Sequence, residues 1–233
     1  MRRLRVLAHR APDKGEMRMQ VLFTQDWDLV PEKEDEYSAF VARTFIPKCN
    51  EIGLLSVGGF YVEVGFGPRI ISVKRVESLD DLFRIMSSAV FRDLVRELRQ
   101  YVVGYRSKIL QPTGRTRDVP YQIQTGVWKF NQYYDVLPGK RAAYADFIRE
   151  QYLPMLDTID YLEVTGGWNV LIGGVSEIVG ELTFKDPADI GCLLEDASYR
   201  ELTHTLRRDF VTNYASRILK TTERFDEHRW FVL

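Results

Sequence analysis

The chain has 233 residues, 32 of them basic and 33 acidic, for a formal net charge of −1. Hydrophobic residues at 45% and charged residues at 28% are ordinary for a soluble globular protein, and near-neutrality excludes the basic field that a nucleic-acid backbone requires. No apolar run reaches the ~20 residues of a membrane-spanning helix, and Cys49 and Cys192 are not at metal-ligand spacing, so two free thiols in a reducing cytoplasm are expected.

Residues 1–18 make a basic arm (Arg2, Arg3, Arg5, Arg10, Lys14, Arg18) with too few apolar residues for a signal-peptide core, and they read as an accessory segment. A first unit, 19–115, follows. Residues 19–27 read as a strand through Val21, Phe23 and Trp27. Tyr37, Phe40, Val41 and Phe45 then recur at helical spacing, and Pro47 is expected to kink or stop that helix. Residues 54–64 read as a second strand with a bulge or close approach at Gly58-Gly59. Gly65 to Pro68 turn the chain into a third strand, 69–76. Ser78 is the expected cap of a second helical region running through Phe91, Leu94 and Leu98, and 104–110 form the last strand.

Residues 111–119 read as a linker, after which the pattern returns as a second unit, 116–224. Gln25-Asp26-Trp27-Asp28 and Pro31 come back as Gln132-Tyr133-Tyr134-Asp135 and Pro138, 107 positions on. Pro154 matches Pro47, Gly166-Gly167 match Gly58-Gly59, Tyr199 to Leu202 match Phe91 to Leu94, and Tyr214 matches Tyr105. The first strand of this unit is expected at 121–131. Residues 225–233 end in the apolar Trp230-Phe231-Val232-Leu233, which should dock on its own chain or a neighbour. The repeat predicts an α+β fold of two tandem ferredoxin-like βαββαβ units whose open sheet faces cover each other.

The strand-to-proline corners, the helix-ending Phe45-Ile46-Pro47 and Tyr152-Leu153-Pro154, and the two later helices together resemble the dimeric α/β-barrel superfamily. The nearest types are its NIPSNAP-like and stress-responsive members. The resemblance implies an intrachain pseudo-dimeric barrel, with further self-association into a homodimer or higher oligomer. Members of that superfamily include cofactor-free oxygenases, isomerases and haem-degrading enzymes, so the fold alone selects no reaction.

Three histidines are present, and only His204 lies within a unit, where its counterpart is Arg96. Haem-degrading members take an iron ligand from that helix. Here Leu194-Glu195 stand where the accompanying tryptophan should be, so no haem is expected and His204 reads as a solvated helix-surface residue. No metal-ligand spacing or nucleotide-binding loop occurs. Glu163 and Glu181 stand on strands where the first unit has Leu55 and Val73. They are the candidate catalytic bases, the plainer alternative being that Glu181 pairs with a nearby lysine or arginine. Asn131, Tyr134, Trp168, Tyr144 and His204 are the candidate pocket residues around them. The aromatics Trp27, Phe60, Trp128, Tyr134 and Trp168 are expected where each unit's helix meets its sheet, around a pocket for a small apolar substrate. Asp28 and Asp135 read as turn or cap residues before a helix. Two functions follow: a small-molecule-binding barrel acting as a cofactor-independent oxygenase or isomerase, or a non-enzymatic binding and assembly module.

Overall fold

The computed structural model describes residues 20–116 and 121–222. The basic arm, the apolar tail with His228, and linker residues 117–119 lie outside the described residues.

The first unit runs β1 (Val21–Leu29), α1 (Glu34–Phe40), a π-helical turn (Val41–Phe45), α2 (Ile46–Glu51), β2 (Leu55–Val64), β3 (Ile70–Val76), α3 (Leu79–Met86), α4 (Ala89–Leu98) and β4 (Val102–Pro112). The second repeats it as β5 (Trp128–Val136), α5 (Arg141–Phe147), a π-helical turn (Ile148–Tyr152), α6 (Leu153–Leu156), β6 (Leu162–Ile172), β7 (Ile178–Phe184), α7 (Ala188–Glu195), α8 (Ala197–Asp209) and β8 (Val211–Thr221). All strand pairs are antiparallel, in the order β1-β3-β2-β8-β5-β7-β6-β4, and β4 returns to β1 to close a barrel. The two units are joined by β2 against β8 (Phe60 opposite Thr221) and by β4 against β6 (Leu110 opposite Val170). The predicted α+β pseudo-dimeric barrel is therefore present, and closure removes every exposed sheet edge.

Strand alternation sorts the core into three parts. Outward residues of unit one (Phe23, Trp27) pack under its helices with Tyr37, Phe45, Leu82 and Phe91. Outward residues of unit two (Phe130, Tyr134, Leu182) do the same with Tyr144, Tyr152, Tyr199 and Leu206. Inward residues such as Leu22, Phe60, Val73, Tyr133, Trp168 and Leu219 fill the barrel. Phe60 and Trp168 are thus inside the barrel rather than at the helix–sheet junction where their aromatic character had suggested them. Each ring crosses the glycine at its bulge: a Cβ on Gly58 would lie 2.7 Å from the Phe60 ring, and one on Gly166 would lie 2.3 Å from Trp168 Nε1. The ladder register shifts at both bulges.

Other elements differ from expectation for local reasons. Pro47 does not end its helix, which continues to Glu51. The π-helical turns sit just before Pro47 and Pro154 in the two units. A widened turn removes the need for an i→i−4 bond from the proline nitrogen and relieves the clash of its ring with the preceding turn. The first strand of unit two begins at Trp128 rather than 121, matching Val21 at the offset of 107. The irregular stretch before it instead carries Tyr121 into the barrel, 8% exposed. Ser78 caps its helix as expected, accepting from Asp81 N at 3.1 Å. Asp28 and Asp135 do not cap a helix. Their carboxylates accept the backbone N–H of Arg69 (2.8 Å) and Glu177 (2.7 Å), fixing where the next hairpin meets the corner.

Candidate functional site: the helix–sheet gap of unit two and the barrel interior

The outer face of unit two's sheet carries Gln132 in the middle of β5, 2% exposed. Its amide nitrogen lies 2.9, 2.8 and 3.0 Å from the hydroxyls of Tyr152, Tyr199 and Tyr214. An amide has two N–H groups, so the three hydroxyls share them and bond in addition to neighbours such as Thr203. Beside this hub the hydroxyls of Tyr134 and Tyr144 meet at 3.0 Å. The Ile148–Tyr152 π-helical turn directs Ile148 and Tyr152 into this gap, and the backbone of β7 beneath it is opened by Gly180.

A cavity of about 40 Å³ remains there, lined by Gln132, Tyr134, Tyr144, Tyr152, Gly180 and Leu182 among others. Arg115, Thr116, Leu153, Leu156 and Val164 border both this cavity and a larger cleft of about 510 Å³, whose wall also includes Asp157, Leu162 and Glu163. The Arg115 guanidinium stands 5.5 Å over the Tyr144 ring at that junction.

Burial raises the phenols of Tyr134, Tyr144, Tyr152 and Tyr199, and pushes Tyr214 up to about 12. They remain neutral hydrogen-bonding groups at physiological pH. A phenol whose folded pKa is raised favours the fold fully below the unfolded value near 10, and that contribution is lost as pH rises through the folded value. Absorbance at 295 nm during an alkaline titration is therefore expected to show a group of tyrosines ionising only from about pH 12, or together with unfolding. Normal ionisation near pH 10 of all twelve tyrosines would contradict this burial.

The inner face of the same sheet holds an ion pair. Glu181 and Lys129 meet inside the barrel, at 6% and 0% exposure. Tyr121 donates to both Glu181 oxygens at 3.1 and 3.2 Å, Thr165 donates to one at 2.7 Å, and Lys129 donates to the Tyr121 hydroxyl at 2.9 Å. Burial pulls the Lys129 ammonium down, and Glu181 opposes it; burial followed by the Glu181 charge raises Tyr121. Further along the barrel Lys108 pairs with Asp26 at 2.8 Å, while Arg217 reaches Asp26 only at 3.9 Å and is stacked on Phe66 at 4.1 Å. A second cavity of about 40 Å³ lies between Asn131, Lys108, Tyr133, Trp168 and Glu181.

These positions divide the residues that the sequence had grouped. Glu181, Asn131 and Trp168 face the barrel interior, whereas Tyr134 and Tyr144 face the helices. They occupy two sites on opposite faces of one sheet, not one pocket, because Asn131 and Tyr134 have opposite parity on β5. Glu163 is exposed on β6 and borders the cleft, and His204 is exposed on α8. Glu177 closes the end of β7, accepting from Val136 N at 3.0 Å and pairing with Arg141. Lys129, Tyr121, Gln132, Tyr152, Tyr199 and Tyr214 were not among the predicted site residues. The repeat offset held a signal for several of them, since Lys129 replaces Leu22, and Tyr152 and Tyr199 replace Phe45 and Phe91.

No protein-family model and no curated protein sequence matches the chain. Solved structures do. A candidate monooxygenase from Fusobacterium nucleatum superposes with a TM-score of 0.61 at 11% identity, covering 87% of this chain and 92% of its own. An anthrone oxidase-like protein gives 0.56 at 11% identity over 89% and 92%. A mutant chlorite dismutase from Candidatus Nitrospira defluvii gives 0.55 at 8% identity over 86% and 91%. At these identities the likeness concerns the fold alone, a dimeric α/β-barrel architecture with both units in one chain.

Haem does not fit the described residues of unit two's gap. His204 is exposed, and the gap beneath unit two's helices is occupied by the Gln132–tyrosine hub with about 40 Å³ left over. Among the described residues no cluster of three His, Cys, Asp or Glu could hold a metal ion. No described helix is long and apolar enough to cross a membrane.

Proposed function

We propose that the chain is a small-molecule-binding barrel whose site is the helix–sheet gap of unit two, entered through the cleft beside Arg115 and Thr116, with unit one serving as its structural partner. The observation that carries this reading is the difference between two equivalent gaps. Where unit two has Gly180, Leu182 and Leu156 around its cavity, unit one has Ser72, Lys74 and Cys49. The strand registers make the equivalence structural: Gln25 faces Ser72 as Gln132 faces Gly180, and Phe23 faces Lys74 as Phe130 faces Leu182. Lys74 is wholly buried and fills the unit-one position. Apolar walls with a few convergent hydroxyls suit a small, largely apolar molecule.

The finer reading is catalysis, as a cofactor-independent oxygenase or isomerase. It is favoured by Glu181, a residue lining both cavities, whose carboxylate lies on the barrel side with Lys129, Tyr121 and Thr165. To act as a base, that carboxylate must give up Lys129. Self-association into a homodimer would use surfaces other than the barrel seams, since β2–β8 and β4–β6 are paired within the chain.

A Gly180→Val substitution tests the site. An added Cβ would meet Gln132 Oε1 at 3.4 Å, an ordinary contact, so the branched side chain fills the cavity while the fold stays within about 1 kcal/mol of wild type. Native mass spectrometry of protein purified from its own host is expected to show a retained small molecule in wild type and none in the variant. The same mass in both, or none in wild type, counts against the site. For catalysis, the expected signature is oxygen uptake with an anthrone as substrate that disappears in Glu181→Gln, assayed at a temperature where circular dichroism shows this less stable variant still folded and where binding persists.

A further inference from the structure

From the comparison of the two gaps we infer that the tyrosine pocket of unit two receives the ammonium head of a small organic amine, whose alkyl part lies in the adjoining cleft. The inference rests on the site proposed above and specifies its ligand class. Unit one supplies an internal stand-in for the ligand. There the Lys74 amine lies under the helices, 2.7 Å from Ser72 Oγ and 4.8 Å over the centre of the Phe45 ring, with no carboxylate among its described contacts. Phe45 corresponds to Tyr152, Trp27 to Tyr134, Tyr37 to Tyr144 and Val41 to Ile148, all of which line the unit-two cavity. An amine is thus already accommodated at the equivalent place, against the Phe45 ring, the Ser72 hydroxyl and Cys49, in the half where the chain provides it covalently, although burial there lowers its pKa. In unit two Lys74 is replaced by Leu182 and Ser72 by Gly180, so both the amine and the hydroxyl beside it are missing and a cavity is left.

Two further features point to the same chemistry. Three tyrosine rings line the pocket, and an electron-rich aromatic wall attracts a cation. Such an attraction is visible at its mouth, where the Arg115 guanidinium sits 5.5 Å over Tyr144. Gln132 Oε1, close to the position a Gly180 side chain would take, accepts from the Tyr152 hydroxyl at 3.3 Å and has a second lone pair for an ammonium N–H. Among the described residues the charged groups bordering the pocket and cleft are Arg115 against Asp157 and Glu163, with Glu181 already paired to Lys129 on the barrel side. The margin is a single carboxylate, so the charges around the cleft do not repel a cation, and the aromatic wall carries the argument. By size, about 40 Å³ accommodates roughly three water-sized groups, enough for an ammonium and its first carbons.

The test compares n-butylammonium with n-butanol by isothermal titration calorimetry at constant ionic strength. It uses wild type and the Gly180→Ser/Leu182→Lys double variant, which transplants the unit-one residues. Wild type is expected to bind butylammonium about tenfold more tightly than butanol, and the double variant to lose that binding because its own lysine fills the pocket. Equal binding of both probes overturns the amine inference and leaves the site standing. Binding of neither overturns both. Retained butylammonium binding in a folded double variant moves the amine elsewhere and also overturns the inference. Should the variant fail to fold, the side-chain amide resonances of Gln132 in wild type decide the matter: a shift on adding butylammonium is expected, and its absence refutes the inference.

Discussion

Glu181→Gln is expected to lower the stability of the barrel by roughly 3–5 kcal/mol, because it leaves the Lys129 ammonium inside the barrel without its counter-charge. Lys129→Leu should cost a similar amount for the converse reason. Replacing both, as Lys129→Leu with Glu181→Val, should cost much less than the sum of the two. Unit one shows why: the same two positions there are Leu22 and Val73, side chains that pack in the barrel at 3% and 6% exposure. The pair's mutual attraction is offset by the desolvation of two ions, so an apolar replacement that packs well can be nearly neutral. The residual cost falls on Tyr121, which loses both of its Glu181 acceptors, and on Thr165, which keeps Thr183 at 2.7 Å. Urea denaturation of the four proteins gives the coupling energy directly. Single variants as stable as wild type would mean that the pair is not buried as described.

This ion pair illustrates which parts of the molecule the sequence made legible. The order of elements was readable because turns, prolines and apolar periodicity recur at nearly constant offset, and these features are local. Glu181 stood out as a carboxylate replacing Val73, and pairing with a lysine was one of its two readings. Lys129 carries the same kind of signal, since the same offset sets it against Leu22. The grouping of Asn131 and Trp168 with Tyr134 failed on a simpler point. Strand parity puts Asn131 and Tyr134 on opposite faces of β5, and only closure of the barrel shows that both faces are buried. Asp28 and Asp135 were misread because their partners, the N–H groups of Arg69 and Glu177, are about forty positions away. The spacing that identified the repeat contained no information about those contacts. His204 is exposed, as its counterpart Arg96 suggests, and therefore does not join the pocket residues among which the sequence also placed it. The cavity itself depends on what unit two lacks, the counterparts of the Ser72 hydroxyl and the Lys74 amine, and an absence of that kind leaves no motif in a sequence.

The two glutamines provide the second large expected effect. Gln132→Leu removes the shared donor of three buried tyrosine hydroxyls and is expected to destabilise the protein by roughly 3–5 kcal/mol. Gln25→Leu removes one described partner, the Tyr105 hydroxyl at 2.7 Å, and should cost about 1–2 kcal/mol. The difference is due to the side chains around each glutamine, not to the glutamines, which are both at 2% exposure or less. Unit one has Phe45 and Phe91 where unit two has Tyr152 and Tyr199. The double variant Tyr152→Phe/Tyr199→Phe should therefore convert the second gap to the first one's hydrogen-bonding demand. In that background Gln132→Leu should cost no more than Gln25→Leu does in wild type. If it still costs the full amount, the hydroxyls are not what Gln132 satisfies. A fall to the unit-one value would establish that unit two maintains a polar hub where its partner has apolar packing. Such a hub holds the tyrosines beside the cavity in fixed orientations, which a binding site in this gap requires.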